Sequence, residues 1–321
     1  MRKAIISGLA AAAILGATAC AGNETANTNP DNQIFESQEQ QGADNSEDLN
    51  AQNTDGTASS GSASPLYKEF EEGTASVKYT GKGDRTSYIT TYDVLEAGKS
   101  YTKDELLTAL KSIGGLTEDG EPSFDFTEID CGEDGVPELL VTIEFGAASR
   151  LIMILKDIDG ELVMCFDQDG WDRSDVFVNP DGTISTYGSA AANVHVFDSA
   201  FVDASGEYKF YYGYAETLTL YGDYYAYTNG SDYTIISADG LDGDHLGLRD
   251  YYFEADFEKR EHFHSYFFID DEYNEVSTED DYNDSNPIQQ KFAEAGIKTY
   301  TPTELNKMVD ERAIEIGYPS R

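Results

Sequence analysis

The apolar residues change their spacing several times along this chain, and each change predicts a different kind of segment. Ala4 to Leu15 is an apolar run of 12 residues interrupted only by Ser7. Residues 21–64 hold only Ile34, Phe35 and Leu49 as large apolar groups. From Ser64 to Gly115, helix starts alternate with short apolar strands. From Glu138 to about Ile269 the apolar positions recur mostly every second residue, the mark of half-buried strands. From Pro287 onward a helical spacing returns.

Local chemistry sharpens these boundaries. Ser64-Pro65 reads as the N-cap and first residue of a short helix that stops at Gly73. Strands are expected near Ala75–Tyr79 and Ser87–Val94. Thr102 caps the next helix, with Glu105 closing a capping box and Tyr101 and Leu106 forming a staple. Its stripe is Leu106, Leu107, Leu110 and Ile113, and Gly114-Gly115 ends it. Pro287 to Ala295 and a helix capped at Thr301, with Pro302 first, close the chain. The last one carries Leu305, Met308, Val309, Arg312, Ala313 and Ile316 as a stripe, and Gly317 and Pro319 stop it.

Between these helices the pattern is strand, turn, strand. Leu139, Val141, Ile143 and Phe145 fall on one face of a strand, and Leu151 to Leu155 is apolar throughout, as a central strand buried on both faces would be. Turn signals follow at Asp159-Gly160, Asp169-Gly170, Pro180-Asp181-Gly182, Ser205-Gly206, Asn229-Gly230 and Asp239-Gly240. The expected fold class is α+β: an antiparallel meander of hairpins flanked by short helices. No exact internal repeat is visible.

Charge narrows the function. The 321 residues carry 61 acidic and 21 basic groups, a formal net charge of -40. Nucleic-acid binding is excluded as the main activity, because phosphate contacts need Lys and Arg. The same charge argues against docking on anionic lipid through a basic patch. Only eight of the acids precede Pro65, so the acidity belongs mainly to the folded part and favours cations, calcium above all.

The N-terminus predicts an address. Arg2 and Lys3 precede the apolar run, and small residues precede Cys20. That is the order of a secretory signal peptide. Ala17-Thr18-Ala19-Cys20 resembles the lipobox of bacterial lipoproteins, with Ala17 where that family usually has Leu. The resemblance implies a signal peptide over 1–19, acylation of Cys20 by fatty acid and an extracytoplasmic protein tethered to the outer face of the cell membrane by lipid. Residues 20–64, polar and acidic with no Lys or Arg, are expected to be a disordered, self-repelling tether. Residues 65–321 are then one β-rich domain.

The sharpest chemical signal is an acidic loop, Asp130-Cys131-Gly132-Glu133-Asp134-Gly135-Val136-Pro137-Glu138. Calcium takes six to eight oxygens from a tightly curved loop. The run resembles the nine-residue calcium loops, D-x-(D/N)-x-D-G-x-x-(D/E), that precede strands in FG-GAP-type modules. Carried over by position, the ligands of a Ca2+ ion would be Asp130, Asp134, the carbonyl of Val136, and Glu138. The third position departs from the pattern, being Gly132. The alternative is an acidic turn with Gly135 in a left-handed conformation. The same run after a low-complexity lipoprotein tether, with Tyr67-Lys68-Glu69-Phe70 opening the domain, is similar to secreted lipoproteins of clostridial gut bacteria. That resemblance implies placement outside the cytoplasm and no particular activity.

Other features were weighed against ordinary structure. Cys131 and Cys165 remain after Cys20 and either bridge or stay as buried thiols. Asp167, Asp169, Asp172 and Asp175, and Asp239, Asp242 and Asp244, read as solvated hairpin tips. His262 and His264 share a strand face and read as surface groups, with Phe263, Phe267 and Ile269 on the core face. Ser100 and Lys103 match S-x-x-K, but their helix positions diverge and no companion motif is present. Eleven of the 22 tyrosines lie between Tyr208 and Tyr252. They are ordinary strand formers or a rigid amphipathic surface for a glycan or protein ligand. No catalytic motif is found. The reading is a non-enzymatic, lipid-anchored extracytoplasmic binding protein. The alternatives are a surface hydrolase acting on glycan or peptide, or a structural envelope component.

Overall fold

Helix capping is seen atom by atom in a computed structural model, which describes residues 62–81, 83, 91–113, 122–146, 149–171 and 173–319. Leu66 N–H donates to Ser64 Oγ at 3.1 Å, and Pro65 opens helix α1 (Pro65–Glu71). Helix α2 (Lys103–Leu110) has the full capping box between Thr102 and Glu105. Helices α3 (Pro287–Glu294) and α4 (Pro302–Ile316) both start on proline, and α4 ends on Gly317 in the left-handed region. Among the described residues no helix is long and apolar enough to cross a membrane.

The strands join into one mostly antiparallel sheet. After β1 (Ser76–Tyr79) and β2 (Ser100–Thr102) come β3 (Ser123–Ile129), β4 (Glu138–Phe145), β5 (Ser149–Ile158) and β6 (Glu161–Trp171). Then follow β7 (Ser174–Val178), β8 (Thr183–Ala191), β9 (Val194–Val202) and β10 (Tyr208–Thr217). From β3 to β10 each strand pairs with the next, as a meander of hairpins requires. The hairpin β11 (Tyr224–Asn229) and β12 (Asp232–Ile236) stands apart as its own small sheet. The chain then returns, so that β13 (Leu246–Tyr252) pairs with β10 and β14 (Phe263–Phe268) with β13. The fold is therefore a β-rich α+β domain of antiparallel hairpins with short helices.

Period-two alternation explains the core. On β5, Leu151, Met153 and Leu155 enter a cluster shared with Phe70 of α1 and Leu106 and Leu110 of α2. Ile152 and Ile154 point the other way, into a cluster with Val176 of β7, Ile184 of β8 and Ala200 and Val202 of β9. That strand is apolar throughout because both of its faces are covered. A third cluster joins Leu246 and Leu248 of β13, Tyr266 of β14, Ala226 and Ile236 of the small hairpin, and Ile288 and Phe292 of α3.

Several expectations are corrected. Asp169-Gly170 is not a turn but lies within β6, where Gly170 makes room for the Arg150 side chain across the pair. Part of Ser87–Val94 lies outside the described residues, and Thr91–Asp93 is a single 3-10 turn instead of strand. Asp167 is no solvated tip: it is fully buried and accepts from the Thr91 hydroxyl. The signal peptide, Cys20, almost all of the tether, Gly114-Gly115 and Asp172 lie outside the described residues. The pairing of β1 with β6 is parallel, which the hairpin pattern did not foretell.

Candidate functional site

The acidic loop is built inward as much as outward. Asp130 accepts from Gly135 N–H with both oxygens, each at 3.1 Å, and Asp134 Oδ1 accepts from Val136 N–H at 2.8 Å. The loop leans on the β7–β8 turn, with Asp130 N–H donating to the Pro180 carbonyl and Gly132 N–H to the Asp181 carbonyl. Gly132 has φ +78°, and a Cβ there would come within 2.6 Å of the Ala204 backbone nitrogen. No side-chain ligand fits at that third position, for a steric reason.

Glu138, the last of the four proposed ligands, already has partners inside the fold. It is fully buried, pairs with Lys156 on β5, and accepts from Cys131 N–H at 2.7 Å. Burial pushes its carboxyl up, while Lys156 and the Cys131 N–H pull it part of the way back. Burial lowers the Lys156 ammonium, and the hydrogen bond to Glu138 together with the charges of Glu138 and Asp134 more than restores it. The Val136 side chain is exposed. Calcium at this loop therefore has to compete with Lys156 for Glu138 and with two N–H groups for Asp130 and Asp134. Among the described residues no group of three or more His, Cys, Asp or Glu is placed to hold a metal ion.

The Cys131–Cys165 bridge is not formed. Neither cysteine is in a disulfide, and both are buried in the same apolar cluster. Burial, and then the nearby Glu138, raise the Cys131 thiol far above its ordinary range, so it is an inert packing group.

The two histidines face the core, which corrects their reading as surface groups. His262 Nδ1 lies 2.7 Å from Asp250 Oδ2, and His264 Nδ1 lies 3.7 Å from Asp250 Oδ1. His264 Nε2 is 2.6 Å from the Tyr227 carbonyl, which can only accept, so Nε2 carries the proton there. Nδ1 lies 3.3 Å from the Tyr224 hydroxyl. Parity misled because the partner, Asp250, arrives from the neighbouring strand in register with His264. All three side chains are closed to solvent, so no substrate reaches them.

A second buried carboxyl sits next door. Gly213 on β10 lies between Asp198 on β9 and Tyr252 on β13, each its direct partner in register. The Tyr252 hydroxyl reaches across the bare glycine and donates to Asp198 Oδ1 at 2.8 Å. Burial raises the Asp198 carboxyl, with Arg260 and Tyr252 opposing that shift. Glu138 and Asp198 are both raised carboxyls, and both are sealed away from solvent.

Asp198 makes a pH prediction. A carboxyl whose folded pKa is raised holds a proton that the unfolded chain has released. Its contribution is fully present below the ordinary carboxylate range and is lost as pH rises through the folded value. Asp198→Asn keeps an acceptor for Tyr252 and removes the ionisation. Melting temperatures measured from about pH 4 to about pH 8 should fall with pH less steeply in the variant than in the wild type. Parallel curves would show that Asp198 does not titrate in this range.

The opposite face of the same strands carries rings. Register places Tyr187 opposite Phe197, Phe197 opposite Tyr214, Tyr214 opposite Tyr251, and Tyr251 opposite Phe263. The result is one aromatic residue per strand across β8, β9, β10, β13 and β14. Successive centroids along the first four are 5.0, 5.2 and 5.2 Å apart. Phe177 on β7 extends the row at 6.1 Å from Tyr187, and Tyr212 widens it at 5.5 Å from Phe197. Cross-strand aromatic pairs each add about 0.5–1.5 kcal/mol beyond their buried area, so the row also braces the sheet. Phe177 and Tyr187, 50% and 44% exposed, open its outer end to solvent. Helix α4 lies against β10, and beyond it Tyr318 stacks on Tyr211 at 4.1 Å.

Tyr212, Tyr214 and Tyr251 stood out in the sequence only as part of a tyrosine-rich stretch. Tyr187 and Phe197 did not stand out. Their alignment is set by hairpin registers, and the turns at Pro180-Asp181-Gly182 and Ser205-Gly206 were the available signal. Comparison with known protein families, with curated proteins and with solved structures finds no match to this chain.

Proposed function

We propose that this chain is a lipid-anchored extracytoplasmic binding protein that presents the aromatic face of its sheet to a ligand. The observation that carries this reading is the row from Phe177 through Tyr187, Phe197 and Tyr214 to Tyr251. Tyrosine supplies rigid, amphipathic contact area at small entropic cost, and aromatic residues carry much of the energy at binding surfaces. The N-terminal pattern supports the address: a lipid at Cys20 and a polar, acidic arm would hold this face away from the membrane.

The test is a panel of purified envelope polysaccharides and extracellular proteins probed with the full chain. The paired substitution Phe177→Ala and Tyr187→Ala removes two exposed rings and the two ring pairs they make, so a melting curve of the variant accompanies the binding measurement. A ligand bound by the wild type should lose at least about tenfold in affinity to this variant, the loss expected when anchoring rings are truncated. Undiminished binding by the variant would show that the ligand sits elsewhere.

A further inference from the structure

We infer that the ligand of this face is an uncharged carbohydrate chain, seated on the rings of Phe197, Tyr214 and Tyr251 and held by the hydroxyls of Tyr212, Tyr214 and Tyr251. The inference rests on the binding reading above and names the class of ligand.

Three observations lead to it. First, these three hydroxyls are open donors. Each residue is half-buried, and none of the three hydroxyls has a hydrogen-bond partner among the described residues. Burial raises all three phenols, and Tyr251 and its neighbours add to the rise of Tyr212, so the groups crowd one another and keep their protons. None of the three is among the side-chain polar atoms sealed from solvent without a partner, so their tips reach the surface, where the hydroxyls of a ligand can meet them. Second, the rings form a floor. Tyr214 lies 5.2 Å from both Phe197 and Tyr251, and Tyr212 lies 6.5 Å from Tyr251. A sugar ring offers a flat C–H face to such a floor and hydroxyl acceptors at its edge, matching the apolar body and polar tip of tyrosine.

Third, charge selects against acidic ligands. Arg249, the cation nearest Tyr251 in the sheet, is already held by Glu216 and Glu275, at 2.9 Å for the latter, and lies 4.2 Å over the Phe267 ring. Two carboxylates to one guanidinium leave the neighbourhood negative, on a chain of net charge -40. A uronic-acid polymer or a phosphate would meet repulsion there. A purely apolar ligand would cover the rings and leave the hydroxyls unpaired.

The experiment is affinity gel electrophoresis of the full chain. Gels contain a soluble β-glucan, a xyloglucan, a galactomannan or, as the charged control, polygalacturonate. At least one uncharged polysaccharide should retard the protein, and polygalacturonate should not. Tyr214→Phe combined with Tyr251→Phe keeps both rings and the packing but removes two hydroxyls. It should weaken the retarding interaction about thirtyfold, the loss of two net hydrogen bonds. Retardation by none of the three uncharged polymers overturns the inference, as does equal retardation of the double variant. If a purified protein binds instead, and Phe177→Ala with Tyr187→Ala abolishes it, the face is a binding site and only the carbohydrate assignment fails. If a polysaccharide binds and neither pair of substitutions matters, both readings fail.

Discussion

Glu138→Ala should cost about 3–5 kcal/mol of folding stability, the penalty for stranding one charge of a buried pair. The substitution removes the carboxylate that Lys156 faces and leaves an ammonium under the sheet with no counter-charge. It also strips the acceptor from Cys131 N–H, so the turn that opens the acidic loop loses its inward tie. Urea unfolding near neutral pH should move to a much lower midpoint with an unchanged slope. The partner experiment is Glu138→Leu combined with Lys156→Met. Replacing both members by apolar groups of similar volume should recover most of the loss, because desolvation offsets much of what such a pair contributes. A single variant as stable as the wild type would mean that Lys156 reaches water and that Glu138 is free to serve another cation.

Gly213→Ala should destabilise by about 3 kcal/mol or more, a large effect for one methyl group. A Cβ at this position would lie 2.2 Å from Asp198 Oδ1 and 2.4 Å from the Tyr252 ring. Neither neighbour gives way cheaply. Asp198 is fully buried, and Tyr252 is fixed by its hydrogen bond and by Arg260, whose guanidinium lies 3.7 Å over its ring. Thermal unfolding of the variant should therefore begin at the β9–β10–β13 part of the sheet, seen as early loss of tyrosine near-ultraviolet ellipticity. Pairing the change with Asp198→Ala and Tyr252→Ala opens the space, so the alanine at 213 should then be neutral or slightly stabilising, as a glycine-to-alanine change is in an ordinary strand. A single Gly213→Ala variant that melts with the wild type would refute the packing across β10.

What could be read in the chain was local. The cap residues Ser64, Thr102 and Thr301 work within three positions of themselves, so their roles are visible without the fold. The same holds for the alternation of β4 and the unbroken apolar run of β5. What escaped depends on partners from other strands. Glu138 looked like a calcium ligand because its acidic neighbours are adjacent in sequence, whereas its counter-ion, Lys156, stands one strand away. Asp169-Gly170 has the composition of a hairpin turn, yet cross-strand pairing with Arg150 keeps it extended. His262 and His264 were assigned outward by parity among aromatic residues that line both faces, so period two alone could not choose a side. The aromatic row has the same origin: its members are separated in sequence and become neighbours only through register.

The parallel contact between β1 and β6 has a consequence for the order of assembly. Every pair from β3 to β10 joins segments that follow one another, so each closes a short loop at small entropic cost. Val77 has to find Leu162 across most of the first half of the domain, and with the wrong polarity for a hairpin. Non-local pairing of this kind is slow, because the loop is closed before the contacts reward it. Helix α1, whose Phe70 is fully buried against β4 and β5 residues, has its docking surface only when those strands are in place. The segment made first thus waits for a frame made later, and until it docks the apolar face of β4 and β5 lacks its cover.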